Sequence, residues 1–543
     1  MALFAKAGHA ESRPRTWLTS IIGPLLWALP FILAVAHSVA EFQRLHIVLL
    51  AVAPLALVVF LNIEFGVYMV LAYATTVIFI KRLMPNLDSN QMGVVLDGLI
   101  CLMALRLGLD LLRTQRWGAF KSPLTLPVLA MGGYLLLQVF NPEAPGLKFG
   151  IYGTRDTLRF LGFFLILFYM RGTPKIKRFM QVFLVLMVGD ALYGIWQHHH
   201  GLLYQEHQWL IESKAYRTHV LKGYVRVFGT VGDAATFGFI NITAALLLIG
   251  LALTSKGWKL WALLGLTMPC LYAMVLSYSR GPMVAVAAGV AVMLVVSRNW
   301  KLAMACVVAG GLGLGALALN GDTRLFDRLM TATNPVEDAS FQVRMGYIDT
   351  YMPLIWERPF GGGLYTAGAS GLAITGGEPI PGTTIGVPTD NLYFKYGLEL
   401  GWVGLLLFIW FLASIWYWTL KSYLALKDPF LKAVALGLLG VFTCYIVGSF
   451  SNDILVQKPL TEFFYMAIGL SALLSQHREI APAIARRAAP ALPHGLRPAG
   501  YLGSGPMPPR PSSPEHPPPR ESGGQQTGPQ NRRRNGRTKG RSG

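Results

Sequence analysis

The sequence predicts an all-α polytopic membrane protein with about 12–14 transmembrane helices. Three observations carry this. The chain of 543 residues is 53% hydrophobic and 14% charged, whereas a soluble domain has roughly a quarter of its residues charged. Its apolar residues gather in repeated runs of about 20, the length that crosses a bilayer as a helix. Between the runs, Lys and Arg concentrate in alternate loops, as orientation in a membrane requires.

Composition also excludes other classes. Cys101, Cys270, Cys306 and Cys444 all lie in apolar segments without paired spacing. They indicate neither a disulfide framework nor a zinc site. The net charge of +20 resembles a nucleic-acid signal until it is located. About half of it lies in the C-terminal tail and the rest in short loops between spans, so it reports topology and no nucleic-acid partner is expected.

Residues 1–16 read as a polar cytoplasmic N-terminus with Lys6, Arg13 and Arg15, and residues 17–475 as one multi-pass membrane domain. Trp17–His37 is too long for a signal-peptide core and lacks a convincing cleavage site, so it reads as an uncleaved anchor. The apolar region His46–Ile80 is too long for one span and is split at Asn62-Ile63-Glu64 into a hairpin. Further spans centre near residues 101, 132, 164, 188, 243, 268, 289, 310, 408, 441 and 466.

With the N-terminus inside, the clusters Arg113/Arg116/Lys121, Arg171/Lys175/Lys177/Arg178, Lys256/Lys259, Arg298/Lys301 and Lys421/Lys427/Lys432 are cytoplasmic, as is the tail. Lys81-Arg82 is the pair on the wrong side. In this orientation the loops with Arg226, with Arg280 and with residues 320–390 all emerge on the outer face, although none of those residues was used to choose it. Residues 477–543 are rich in Pro, Gly, Arg, Ser and Gln and read as a disordered cytoplasmic tail. Its basic residues suit anionic lipid headgroups, at about 1 kcal/mol each; a solvated tail is the plainer alternative.

The longest polar excursion, 320–390, is where chemistry is expected. Phe341, Met345, Ile348, Met352 and Ile355 share one helical face bordered by Arg344. That predicts a helix lying on the membrane surface, apolar side down, with its arginine at headgroup level. Snorkelling to lipid phosphate is the plain role for such an arginine. Gly361-Gly362-Gly363 follows, where backbone amides could approach a ligand. Arg280 sits in Ser277-Tyr278-Ser279-Arg280 between two spans, as an interfacial anchor beside Tyr278 or as an anion clamp. Arg226 precedes the span that begins near Asp233.

Thr389, Asp390 and Asn391 are all good helix N-caps, so Asp390 is either a cap or a carboxylate that orients an attacking hydroxyl and takes its proton late. His198-His199-His200 point in different directions on a helix, and no metal-holding Asp-x-Asp pair occurs; no metal or cofactor is expected. Arg106 and Asp110 can pair at i, i+4. Asp97 and Asp190 are intramembrane acids, which mark either a functional path or an interhelical hydrogen bond.

Together these pieces resemble the O-antigen ligase and Wzy-type surface-polysaccharide polymerase superfamily. The matching pieces are Arg226-Val227-Phe228-Gly229-Thr230, Ser279-Arg280-Gly281, Arg344 with Pro359-Phe360-Gly361-Gly362-Gly363, and Asp390-Asn391-Leu392-Tyr393 leading to Glu399-Leu400-Gly401-Trp402-Val403-Gly404. The resemblance spans roughly residues 220–420. It implies a membrane glycosyltransferase architecture of the GT-C type in the bacterial inner membrane, with metal-independent glycosyl transfer on the periplasmic face.

The implied partners are an undecaprenyl-diphosphate-linked oligosaccharide and membrane lipids, with a chain-length regulator as a further candidate. Arg226, Arg280 and Arg344 would bind the diphosphate, Asp390 would activate the acceptor hydroxyl, and Asn391 and Tyr278 would support them. Guanidinium groups bind phosphate oxygens bidentately and stay charged. The lipid A-core ligases typically have His where this chain has Asp390. That departure favours a polymerase of exopolysaccharide, capsule or O-antigen over a ligase that moves finished glycan to lipid A-core or protein. A lipid-linked sugar flippase is the alternative of a different class, to which Asp97, Asp190 and the number of spans would belong; such a transporter should show related halves, and none is evident.

Overall fold

The computed structural model describes residues 54–84, 89–221, 223–299, 339–380 and 382–488. The spans expected at 17–37 and near 310 lie outside the described residues, as does residue 489 onward. The side chain of Arg344 is also outside them.

The described chain is a bundle of helices. Seven are long and apolar enough to cross a membrane: Ile63–Leu83, Thr173–His200, Ala234–Thr254, Trp258–Leu276, Arg280–Ser297, Leu392–Ala425 and Pro429–Gly448. The spans expected near 132 and 164 form shorter helices, Thr125–Leu137 and Leu161–Tyr169. Ser89–Thr114 covers the span expected near 101, and its apolar surface is interrupted by Asp97, Arg106, Asp110 and Arg113. The last helix, Leu460–Ala488, continues past Gln476, where the composition change placed the start of the tail.

Local sequence sets the helix ends. The break expected at Asn62 is present, and the Asn62 side chain caps Ile63–Leu83 by accepting the Phe65 N–H at 3.2 Å. Asp233 caps Ala234–Thr254 through the Thr236 N–H at 2.8 Å. Asp428 caps Pro429–Gly448, where Pro429 fills the first helical position, which has no need of an N–H.

Ala234–Thr254 is the central span, with 89% of its apolar window buried, against 22% for the peripheral Arg280–Ser297. It packs on Trp258–Leu276 and on Pro429–Gly448, where Gly250 approaches Gly437 closely. Small residues at such crossings let backbones approach when lipid supplies no hydrophobic drive.

Two ends of the bundle differ in character. At one, Arg171 donates to the Ala119 carbonyl and to Gln476 Oε1, and Gln476 Nε2 donates to the Ala119 and Lys121 carbonyls, at 3.0 and 2.9 Å. These bonds tie the basic segments 113–121 and 171–178 to the last helix. The opposite end carries the long connections: residues 138–160, 200–233, 339–400 and 449–459.

Arg82, expected to be a misplaced cation at this second end, is instead fully buried. It pairs with Glu206 at 3.6 Å, with neither side chain exposed, and donates to the Gly229 carbonyl. The rings of Phe79, Trp209 and Phe228 stand 4.6–5.6 Å from its guanidinium. A charge neutralised inside the protein exerts no pull on membrane orientation, so the Arg82 half of the exception has a local cause.

The intramembrane acids likewise have partners. Asp97 pairs with Arg155 at 2.7 Å and lies 3.8 Å from Arg159, which also binds Glu462 at 2.9 Å. Asp190 accepts from the Thr230 amide and hydroxyl at 2.8 and 2.7 Å. Both act as interhelical or helix-to-loop bonds. Arg106 and Asp110 pair at 3.1 Å, as their spacing allowed.

Candidate active site at the loop end of the bundle

The site is built outward from a strap, residues 226–230, that enters the central span. Three side chains hold its backbone. Gln197 Oε1 accepts the Phe228 and Gly229 amides at 3.2 and 3.1 Å, Asp190 accepts the Thr230 amide, and Arg82 takes the Gly229 carbonyl. The strap places Arg226 beside the turn between two spans. Its Nε donates to the Ser277 carbonyl at 3.0 Å, Nη1 to the Thr218 carbonyl at 3.1 Å, and Nη2 to Ser279 Oγ. The Val227 amide adds a bond to the Leu276 carbonyl at 3.2 Å.

Arg226 therefore braces the turn that presents Arg280. Tyr278, inside that turn, is buried and held at φ +49°, a conformation that costs a bulky residue about 1–3 kcal/mol. The Tyr224 ring packs on it at 4.8 Å. Arg280 is the first residue of its helix and half-buried. The sequence placed Arg226 and Arg280 on one face of the membrane; the structure joins their loops by direct bonds.

The second half of the site is the Leu392–Ala425 helix, which is broken. Gly401 stands at φ +71° and ψ −179°, so residues 392–400 form a short helix set at an angle to the span that follows. Asn391 is the cap, and its side chain accepts the Tyr393 and Phe394 amides at 2.9 and 3.2 Å. Asp390 is exposed at the end of the loop, and the capping bonds go to its neighbour.

The helix break closes against Pro359–Gly363. The Gly362 and Gly363 amides donate to the Leu398 and Glu399 carbonyls at 2.8 and 3.0 Å, and the Val403 amide to the Pro359 carbonyl at 3.2 Å. The Gly361 amide bonds Arg358. The glycine run was expected to offer amides to a ligand; two of the three amides instead seal this seam, and the third closes a turn on the Arg358 carbonyl. Gly361, at φ +73°, and Gly401 have no room for a Cβ, which at Gly401 would overlap the Pro359 carbonyl. Tyr134, Gln138 and Asn141 complete the seam by donating to the Leu400, Phe360 and Gly361 carbonyls.

The loop helix Ala339–Glu357 packs on the short helix. Ile348, Met352 and Ile355 join Phe394 and Leu398 in a small apolar core. Its stripe was expected to lie on lipid; this part of it covers protein instead, while Met345 remains exposed.

The turn 449–453 links the two halves. The Ser449 carbonyl accepts the Leu392 amide at 2.9 Å, two residues from Asp390. Ser451 lies in close contact with Gly281, the residue after Arg280. Arg280 and Asp390 thus flank one short turn. Beneath them, buried Lys395 lies 3.4 Å from Asp453. Lys395, Arg155 and Arg159 went unnoticed in the sequence reading, and Arg82 was noted only as a misplaced charge. A cation inside an apolar run is the signal that could have found them, since its cost demands a partner.

These features define a polytopic helical membrane protein whose long loops and their arginines gather at one end of its spans. Residues 265–409 match the family model described as O-antigen ligase. Over that stretch, about a quarter of the chain, the protein is similar to this family. The match covers Tyr278, Arg280, Arg344, Asp390 and Asn391, and Arg226 lies well before its start. No curated protein matches the chain.

Proposed function

We propose that the protein polymerises undecaprenyl-diphosphate-linked repeat units into exopolysaccharide, capsule or O-antigen on the periplasmic face of the inner membrane. The observation that supports this most is the meeting of the Arg226–Arg280 turn and the Asp390 loop across residues 449–453. In this reading Arg280 and Arg344 clamp the diphosphate, and Arg226 contributes while holding the turn in place. Guanidinium groups stabilise the charge that develops on the departing lipid diphosphate, where other enzymes use a metal. Asp390, next to the Asn391 cap, orients the acceptor hydroxyl and takes its proton as the new glycosidic bond forms.

A ligase that moves finished glycan to lipid A-core or protein is the second reading, supported by the description of the matched family. A flippase is the alternative of a different class, and its candidate residues Asp97 and Asp190 have Arg155, Arg159 and Thr230 as partners. The lipid-linked product of a deletion strain separates the two enzymes. Accumulated single repeats mean polymerase; accumulated long polymer means ligase. Arg280→Ala and Asp390→Ala should each abolish product at unchanged protein level, and near-normal product from both would remove them from the mechanism.

A further inference from the structure

Lys395 stands in an otherwise apolar helical stretch, Leu392-Tyr393-Phe394-Lys395-Tyr396, and its side chain is 5% exposed. Its Nζ lies 3.4 Å from Asp453 Oδ2 and 3.4 Å from Ser370 Oγ. Asp453 is itself fixed by Gln457 Nε2, which donates to Oδ1 at 3.0 Å. A buried ammonium holds its position only with such partners, because an uncompensated charge there is strongly unfavourable.

The pair joins three pieces of chain. Ser370 belongs to the helix Gly368–Ile374 of the large loop, Lys395 to the short helix that Asn391 caps, and Asp453 to the end of the 449–453 turn. That turn receives the Leu392 amide at Ser449 and touches Gly281 at Ser451. The Lys395–Asp453 pair is therefore the side-chain lock between the element that carries Asp390 and the turn that abuts Arg280.

We propose that Lys395 and Asp453 are positioning residues that set the separation of Asp390 and Arg280. Neither reaches the acceptor or the donor; both act through the backbone they hold. The inference rests on the glycosyl-transfer reading for its kinetic consequence and on geometry alone for its structural one.

The test has two arms on the full-length protein. In liposomes containing undecaprenyl-diphosphate-linked oligosaccharide, Lys395→Met should lower kcat at least tenfold while KM for the lipid-linked donor stays within twofold. The charge exchange Lys395→Asp with Asp453→Lys should restore kcat to within threefold of the original. In parallel, spin-label amino acids at the exposed positions 225 and 388 report the distance across the site. Its distribution should broaden in Lys395→Met and narrow again in the exchanged pair. An unchanged kcat in Lys395→Met, an unchanged distance distribution, or a loss that the exchange leaves unrepaired despite normal protein level would each overturn the proposal. If the unaltered protein transfers no lipid-linked oligosaccharide, the functional reading fails, and the distance measurement still decides the positioning role.

Discussion

Arg82 and Glu206 form an ion pair at 3.6 Å with neither side chain reaching solvent. Glu206 also accepts from Gln197 Nε2 at 3.0 Å and from the Leu203 amide at 3.2 Å, and Gln197 in turn holds the strap that carries Arg226. The pair is thus the foundation of the arginine rim, two bonds removed from it.

Removing one member of a buried pair leaves the other charge stranded, at a cost of about 3–5 kcal/mol. Arg82→Leu should therefore lower the Tm of detergent-solubilised protein sharply, by several degrees. Combining it with Glu206→Leu should recover part of the loss, since the double change leaves no lone charge. Additive losses in a double-mutant cycle would mean that the two side chains are not coupled.

Gly401→Ala places a methyl group where the Pro359 carbonyl lies, in a conformation that alanine adopts only with strain. Backbone strain alone is about 1–3 kcal/mol, and the overlap adds to it. The expected result is a large fall in the yield of monodisperse protein on size exclusion, whereas Gly133→Ala, a position with open space around it, should behave as the unaltered protein does.

His219 gives the strap region a pH dependence. Its imidazole is buried, and burial, reinforced by the positive charges of Arg226 and Arg82, holds its pKa below the ordinary value of 6.5. Its bond to the Ala215 carbonyl and the charge of Asp233 act in the opposite direction and do not prevail. The folded state therefore keeps histidine neutral while the unfolded state takes up a proton, so stability is complete above pH 6.5 and declines as pH falls below it. Hydrogen exchange in segment 215–228 should accelerate on going from pH 7.5 to 5.5 beyond the intrinsic chemical rate. His219→Gln should flatten that dependence; equal pH dependence in both proteins would exclude His219 as its source.

Sidedness can be checked directly. Tyr216 and Pro388 are exposed at the loop end and Lys427 at the basic end, and each can be replaced by cysteine. An impermeant maleimide added to the periplasmic side should label the first two in intact cells and the third after permeabilisation. Labelling of 427 alone would invert the orientation.

The membrane class and most span positions were legible because burial in lipid imposes apolar runs of fixed length, a signal contained within each segment. The common location of Arg226 and Arg280 was legible for a related reason, since alternating charge reports which loops share a side. Pairings between distant segments left no such mark. Asp97 and Arg155 are 58 residues apart, and Arg82 lies 147 from the carbonyl it binds. The roles of Asp390 and Asn391 were ambiguous because both side chains can cap a helix, and backbone geometry alone assigns the cap to Asn391. The glycine run misled because amides that seal a backbone seam and amides that cradle a ligand require the same residue.

That seam is made of main-chain bonds between residues 359–363 and 398–403. A joint of this kind constrains the path of the chain and asks little of the side chains that point away from it. The large loop can therefore exchange its outward residues while the membrane body keeps its register. The join works as a mounting plate: the fitting above it is replaceable because the bolts are backbone.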